Sequence, residues 1–118
     1  MNLNSYQIPL LSRAIEFASQ NHRVISQNLA NVNTPNYQTQ EIPFAQFLQH
    51  VEQPGNLSKD KELKLEALEV QGLKTRHDGN NVDLDREMAN IKRNDLMYQT
   101  LTQLIGSKLA TMKQAIKG

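Results

Sequence analysis

The chain has 118 residues, 38% of them hydrophobic, 21% charged and only 5% aromatic, with a net charge of +1 and no cysteine. That suits one domain or one elongated subunit with a lean core and no large aromatic cluster. It excludes disulfides, thiolate zinc sites and cysteine nucleophiles, and the charge gives no reason to expect nucleic acid.

From about Pro9 to Val32 the semi-apolar positions are Leu11, Ile15, Ala18, His22, Ile25, Leu29 and Val32. Their spacings alternate four and three, which predicts a heptad helix with one narrow seam. Ser5 and Pro9 suit its start, because proline is tolerated in a first turn. The stretch "NLANVNTPNY", Asn28 to Tyr37, closes it. Pro35 disfavours helical geometry at Thr34, so the helix stops by Asn33. Pro35 and Asn36 then form a type II turn, with Asn36 left-handed and Tyr37 free to fold back on the helix end.

The middle is weaker. Ala45, Phe47, Leu48 and Val51 fit a short helix, and "QPGNLSKD" from Gln53 to Asp60 reads as a loop. "ELKLEALEV" from Glu62 to Val70 alternates like a strand yet is rich in helix formers, so both readings stand. "HDGNN" from His77 to Asn81 is a turn. Its continuation to Asp85 hints at a calcium loop but has no glycine at the sixth position and no closing glutamate.

The last region repeats the first pattern for longer: Leu84, Met88, Ile91, Asp95, Tyr98, Thr102, Ile105, Leu109, Met112 and Ile116, widened by Leu101 and Leu104. Asp83 suits the N-cap. Asp85 and Glu87 complement the positive end of the helix dipole, and Lys108, Lys113 and Lys117 the negative end. Asp95 on the seam is either a buried register-setting group or a shallow exposed one. His22 is a tolerated packing position rather than a ligand. His22, His50 and His77 share no ligand spacing, and no catalytic arrangement or phosphate loop can be argued. No cofactor or metal is expected.

The predicted fold is therefore mainly α. Long N- and C-terminal heptad helices pair as an elongated coiled-coil-like core, around an irregular middle of loops with a short helix or strands. The boundaries are residues 1–40, 41–82 and 83–118. The expected helix-pairing seam is Leu11, Ile15, Ala18, Ile25, Leu29 and Val32 against Leu84, Met88, Ile91, Tyr98, Ile105, Leu109, Met112 and Ile116. Two helices share one seam and cannot enclose a core, so partner helices from other subunits, or partial disorder, are implied.

Two runs carry no charge at all: Val24 to Gln40 and Leu96 to Ser107. Exposed helix faces normally carry Lys, Glu and Arg. A neutral solvated face would account for one such run. Two together favour subunit packing, because a buried amide needs only a hydrogen bond while a buried charge costs far more. Gly106, about 1 kcal/mol worse than alanine in a helix, would let another backbone approach. The expected subunit contacts are Asn28, Ala30, Asn31, Thr34, Pro35, Asn36, Tyr37, Gln99, Gln103 and Gly106.

"NLANVNTPNYQ", Asn28 to Gln38, resembles the N-terminal signature of the bacterial flagellar axial proteins, in which glycine usually stands where this chain has Asn36. "HDGNNVDLDREMANIKRNDLMYQ", His77 to Gln99, resembles the C-terminal signature of the flagellar basal-body rod protein family, in its proximal rod branch. The resemblance covers both ends and leaves the middle unmatched. It implies a non-enzymatic structural subunit that polymerises with other axial proteins into the proximal part of the drive shaft transmitting motor torque. It implies export by the flagellar type III apparatus without signal-peptide cleavage, a periplasmic place in the flagellar basal body, and terminal helices lining a channel. The implied partners are further copies, the rod protein FlgC and the adaptor FliE, with no nucleic acid, no small-molecule substrate and no membrane span. The alternative is a soluble helical adaptor or secretion-associated coiled-coil protein in a defined complex. A small helical enzyme has no residue in its favour.

Overall fold

A computed structural model describes residues 3–58 and 60–118. Met1 and Asn2 of the expected N-terminal region, and Lys59 of the predicted loop, lie outside the described residues. The elements in order are α1 (Leu3–Ala30), β1 (Gln40–Glu41), α2 (Phe44–Glu52), β2 (Leu68–Glu69) and α3 (Leu84–Lys117). The molecule is mainly helical, with long terminal helices packed on each other, as the heptads predict.

Helix α1 begins about two turns before the expected start, with Pro9 inside it. The proline removes only the bond to the Ser5 carbonyl, and its fixed φ is already helical. Helix α3 starts at Asp83, whose carboxylate accepts the amides of Asp85 at 3.0 Å and Arg86 at 3.3 Å. Asn28 meets Glu87 and Asn21 meets Asn94, so higher numbers on α1 face lower numbers on α3. The helices run antiparallel in a molecule of 64 × 26 × 20 Å.

The middle is irregular in backbone but closely packed. Residues 62–67 belong to neither helix nor strand, and Leu68–Glu69 pair antiparallel with β1, Gln40 opposite Glu69 and Glu41 opposite Leu68. Of the two readings of Glu62–Val70, helix does not form, and only Leu68–Glu69 is strand. The segment folds back on a second apolar face of α1. Phe17 meets Phe47 at 5.2 Å and Phe44 at 5.7 Å between ring centroids. Val24, Ile42, Val51 and Leu63 complete the buried cluster. Arg13 is buried and donates to the carbonyls of Ser58 and Lys61, holding the loop to α1. The expectation that the two helices alone leave no core is thus corrected: the third wall comes from within the chain.

The seam itself is displaced on α3. The buried positions are Glu87 and Asn94, with Leu101, Ile105 and Lys108 half-buried in the same line. This line lies one residue before much of the apolar heptad. Ala18 and Ile25 of the expected seam are buried, and Leu11, Ile15, Leu29, Val32, Ile91 and Ile105 are half-buried. Leu84, Met88, Tyr98, Leu109, Met112 and Ile116 are exposed in the single chain. Polar contacts inside the helix pair decide the rotation of α3, as described below.

Truncating Phe17 removes the ring that joins α1 to α2 and leaves a cavity. Phe17→Ala is expected to cost about 3 kcal/mol in urea unfolding. Hydrogen exchange should show protection lost in α2 before the first half of α3.

Candidate functional site

The polar residues of the motif stretches converge at one end of the helix pair. Helix α1 ends at Ala30, where Asn31 N donates to the Gln27 and Asn28 carbonyls and Val32 N to that of Leu29. The Asn80 amide donates to the carbonyls of Asn31 and Thr34, both at 2.8 Å. Arg76 donates to the Val32 carbonyl and, at 2.8 Å, to that of Val82. Asn80 is fully buried, and these bonds satisfy carbonyls of the turn that follows α1.

The predicted turn forms as expected. Tyr37 N donates to the Thr34 carbonyl at 3.3 Å, and Asn36 has φ 65°. Asparagine tolerates this left-handed geometry better than other residues with a side chain. The turn then docks on the second one: Asn36 N donates to the Asp78 carbonyl at 2.9 Å. Gly79 has φ +83°, and a Cβ there would stand 2.3 Å from Asn36 Oδ1. Glycine is required at Gly79 by conformation and by space.

Beneath the turns lies a closed network around Glu87, only 1% exposed. Its Oε1 accepts the Thr39 hydroxyl at 2.7 Å and Arg86 Nη1 at 3.2 Å, and its Oε2 accepts the Asn28 amide at 3.2 Å. Asn28 is fully buried. Its Nδ2 also donates to the Gln40 carbonyl at 2.8 Å, and its Oδ1 accepts Gln40 N at 3.0 Å and the Tyr37 hydroxyl at 2.9 Å. Asn81 Oδ1 accepts Thr39 N at 2.6 Å. Arg86 reaches Glu41 at 3.3 Å on the outer side. One carboxylate and one amide thereby hold α1, the turn, β1 and α3 together. Desolvation, and secondly the Glu87 charge, raise the Tyr37 phenol above its usual value of 10.0.

A second polar junction lies two turns along. Asn94 is buried, donates to the Ala18 carbonyl at 2.8 Å and accepts from Asn21 at 3.0 Å. Beside it, His22 Nδ1 stands 3.4 Å from Asp95 Oδ1, both side chains about half exposed. Asp95 is therefore the exposed seam residue of the two alternatives.

The expected contact residues divide. Asn28 is corrected: it is buried inside the subunit, where its amide is consumed by Glu87, Gln40 and Tyr37. Asn31 and Tyr37 are half-buried and also bonded within the chain. Ala30, Thr34, Pro35, Asn36, Gln99 and Gln103 are exposed. Gly106 is exposed too, and nothing lies within 4 Å of a Cβ built on it. Sequence reasoning missed Glu87 and Asn94 as buried positions. Their spacing of seven, in step with Leu101 and Lys108, was the signal, masked because both are polar.

The described chain is an elongated, mainly helical hairpin clasped at its turn end. A family model described as "Flagella basal body rod protein" matches residues 12–38, from α1 through the turn. The relatives extend the match over the whole chain. A flagellar basal body rod protein FlgB of Aquifex aeolicus is 34% identical, over 94% of this chain and 93% of its own. That of Borrelia hermsii is 30% identical over 99% and 100%, and that of Bacillus subtilis 28% over 100% and 98%. The chain belongs to the FlgB family of flagellar basal body rod proteins.

Glu87→Ala removes an acceptor from Asn28, Thr39 and Arg86 and leaves the buried Thr39 hydroxyl without its partner. It is expected to cost about 3 kcal/mol or more in denaturant unfolding.

The raised Tyr37 value sets an alkaline limit. The folded state keeps the phenol proton to higher pH than the unfolded chain does. The stability from this group is complete below pH 10.0, the ordinary value, and is lost as pH rises through the raised one. Tyr37→Phe should cost about 1 kcal/mol at neutral pH and flatten the decline above about pH 10. Urea titrations at a series of pH values read both.

Proposed function

We propose that this chain polymerises with other axial proteins into the proximal part of the flagellar drive shaft and transmits motor torque. The observation that carries this is its near end-to-end similarity to FlgB rod proteins. The physical features support it. The clasp gives each subunit a stiff, register-locked pair of helices, as a torque-bearing element needs. The outer positions Gln27, Gln99 and Gln103 are exposed and uncharged, and Leu96, Tyr98, Leu104 and Leu109 are exposed at 44–65%. In an isolated chain this is an unusually apolar surface, and neighbours in a rod would cover it.

In this reading residues 1–40 and 83–118 build the rod core, and residues 41–82 buttress it from outside. The subunit performs a structural role, in which the polar side chains of the clasp bond within it. Its neighbours are FlgC and FliE, and it reaches the periplasmic rod through the flagellar type III apparatus without cleavage of a leader. No described helix is long and apolar enough to cross a membrane. A soluble adaptor in a closed complex, the other class the heptads allow, has no specific observation in its favour.

Gln27→Glu and Gln103→Lys, made singly, test the assembly surface. Both positions are exposed and outside the clasp, so folding by circular dichroism should be unchanged. If neighbours cover them, each variant buries an unpaired charge in every subunit, at a cost of several kcal/mol. In flagellated cells lacking their own FlgB, the variants should be made and exported but be absent from isolated basal bodies. Working rods at wild-type levels from both would show these faces to be open to water.

A further inference from the structure

The second turn of the clasp contains a chemically weak link. Asp78–Gly79 is the only place in the chain where glycine follows an aspartate or an asparagine. Glycine has no Cβ, so nothing shields its backbone nitrogen from the side chain before it. That nitrogen can attack Asp78 Cγ. The N–Cγ bond forms, and the nitrogen's proton leaves with the carboxyl hydroxyl as water. The cyclic succinimide then takes up water. When the bond from Gly79 N to the Asp78 main-chain carbonyl carbon breaks, the product is isoaspartate. The chain now runs through the side chain and is longer by a methylene, and the old carbonyl is a free carboxylate. Mass is unchanged, and water is the sole co-reactant.

The closed clasp denies this reaction its geometry. Ring closure needs Gly79 N to shed its proton and the peptide group between Asp78 and Gly79 to turn. Both ends of that group are held: Gly79 N donates to the Arg76 carbonyl at 2.9 Å, and the Asp78 carbonyl accepts Asn36 N at 2.9 Å. The attacked carboxylate is held as well, since Asp78 Oδ1 accepts Asn80 N at 3.0 Å and lies 3.8 Å from Arg76 Nε. The next carbonyl, that of Gly79, accepts Gln38 Nε2 at 2.7 Å. Asp78 itself is exposed, so the protection comes from hydrogen bonds rather than from burial.

We propose that Asp78–Gly79 is a site of spontaneous isoaspartate formation, suppressed while the clasp is closed, and that the isomerised chain cannot close it again. The longer backbone displaces the acceptor of Asn36 N and moves Gly79 out of its close fit on Asn36. Chemical ageing of the subunit is thereby tied to the time it spends with the clasp open.

The test holds the wild-type chain at neutral pH in buffer and in guanidinium chloride, and cuts samples with trypsin over time. Cleavage after Arg76 and Arg86 releases residues 77–86. Isoaspartate appears as a peptide of equal mass and altered retention that an isoaspartyl methyltransferase labels. Deamidation of Asn80 or Asn81 changes the mass and is read apart. The isomer should accumulate in denaturant, and at least about tenfold more slowly in buffer, where it must wait for local opening. Asp78→Glu should abolish it in denaturant, because the larger ring closes slowly. Glu87→Ala should raise the rate in buffer. Equal rates in buffer and denaturant, an isomeric peptide that survives Asp78→Glu, or an unchanged buffer rate in a Glu87→Ala chain whose unfolding midpoint has fallen, overturns the protected site. The isoaspartyl chain, separated in denaturant and returned to buffer, should lose exchange protection at the Asn36 and Gly79 amides and unfold at lower denaturant. Wild-type protection and midpoint in that chain would overturn the claim that isomerisation bars the clasp.

Discussion

The structure depends on one buried carboxylate. Glu87 is almost wholly withdrawn from water, and its oxygens accept bonds from a hydroxyl, an amide and a guanidinium. A buried charge is tolerable only when its lone pairs are matched. The matching groups come from the end of α1, the strand after the turn and the first turns of α3. None can move far without leaving the others unpaired, so a helix hairpin with a lean core acquires a single arrangement.

Apolar seams alone would not achieve this. A heptad pattern can slide by seven residues with little loss, since each register offers similar side chains to the partner. Asn28 with Glu87, and Asn21 with Asn94, are specific pairs separated by one heptad on each helix. A slip by seven would break both pairs and re-form at most one polar contact, Asn28 with Asn94 or Asn21 with Glu87, leaving the other two polar side chains without these partners. The same pairs rotate α3, turning Leu84, Met88 and Tyr98 outward. The exposed apolar surface is thus a consequence of the internal polar lock. For a subunit that belongs in a rod, the two properties are complementary: rigidity within, and stickiness outside.

The middle segment serves the same end by other means. Arg13 grips two loop carbonyls, Phe17 draws in Phe44 and Phe47, and β2 adds one short rung to β1. These contacts place a third wall on α1, beside α3, whose Met97 packs against the same cluster. The helix pair is thereby supported where the middle segment packs on it.

Much was legible in the residues. The periodicities placed both long helices and the short one. Pro35 and Asn36 defined the turn through fixed φ and left-handed tolerance, and Asp83 marked the start of α3. These are local effects, decided within a few residues of the cause. The two motif stretches carried the family. The burial of Glu87, Asn28 and Asn94 was not legible. Apolar periodicity is blind to buried polar positions, and a glutamate in a first turn is equally suited to the helix dipole. The fate of the Asn28 amide depended on Glu87, 59 residues away, and that of Phe17 on a loop with little pattern of its own. Local propensity determined which elements form and where they stop. Only the tertiary structure decided which face of α3 turns inward, because that choice is made by hydrogen bonds between groups that meet only when the chain has folded.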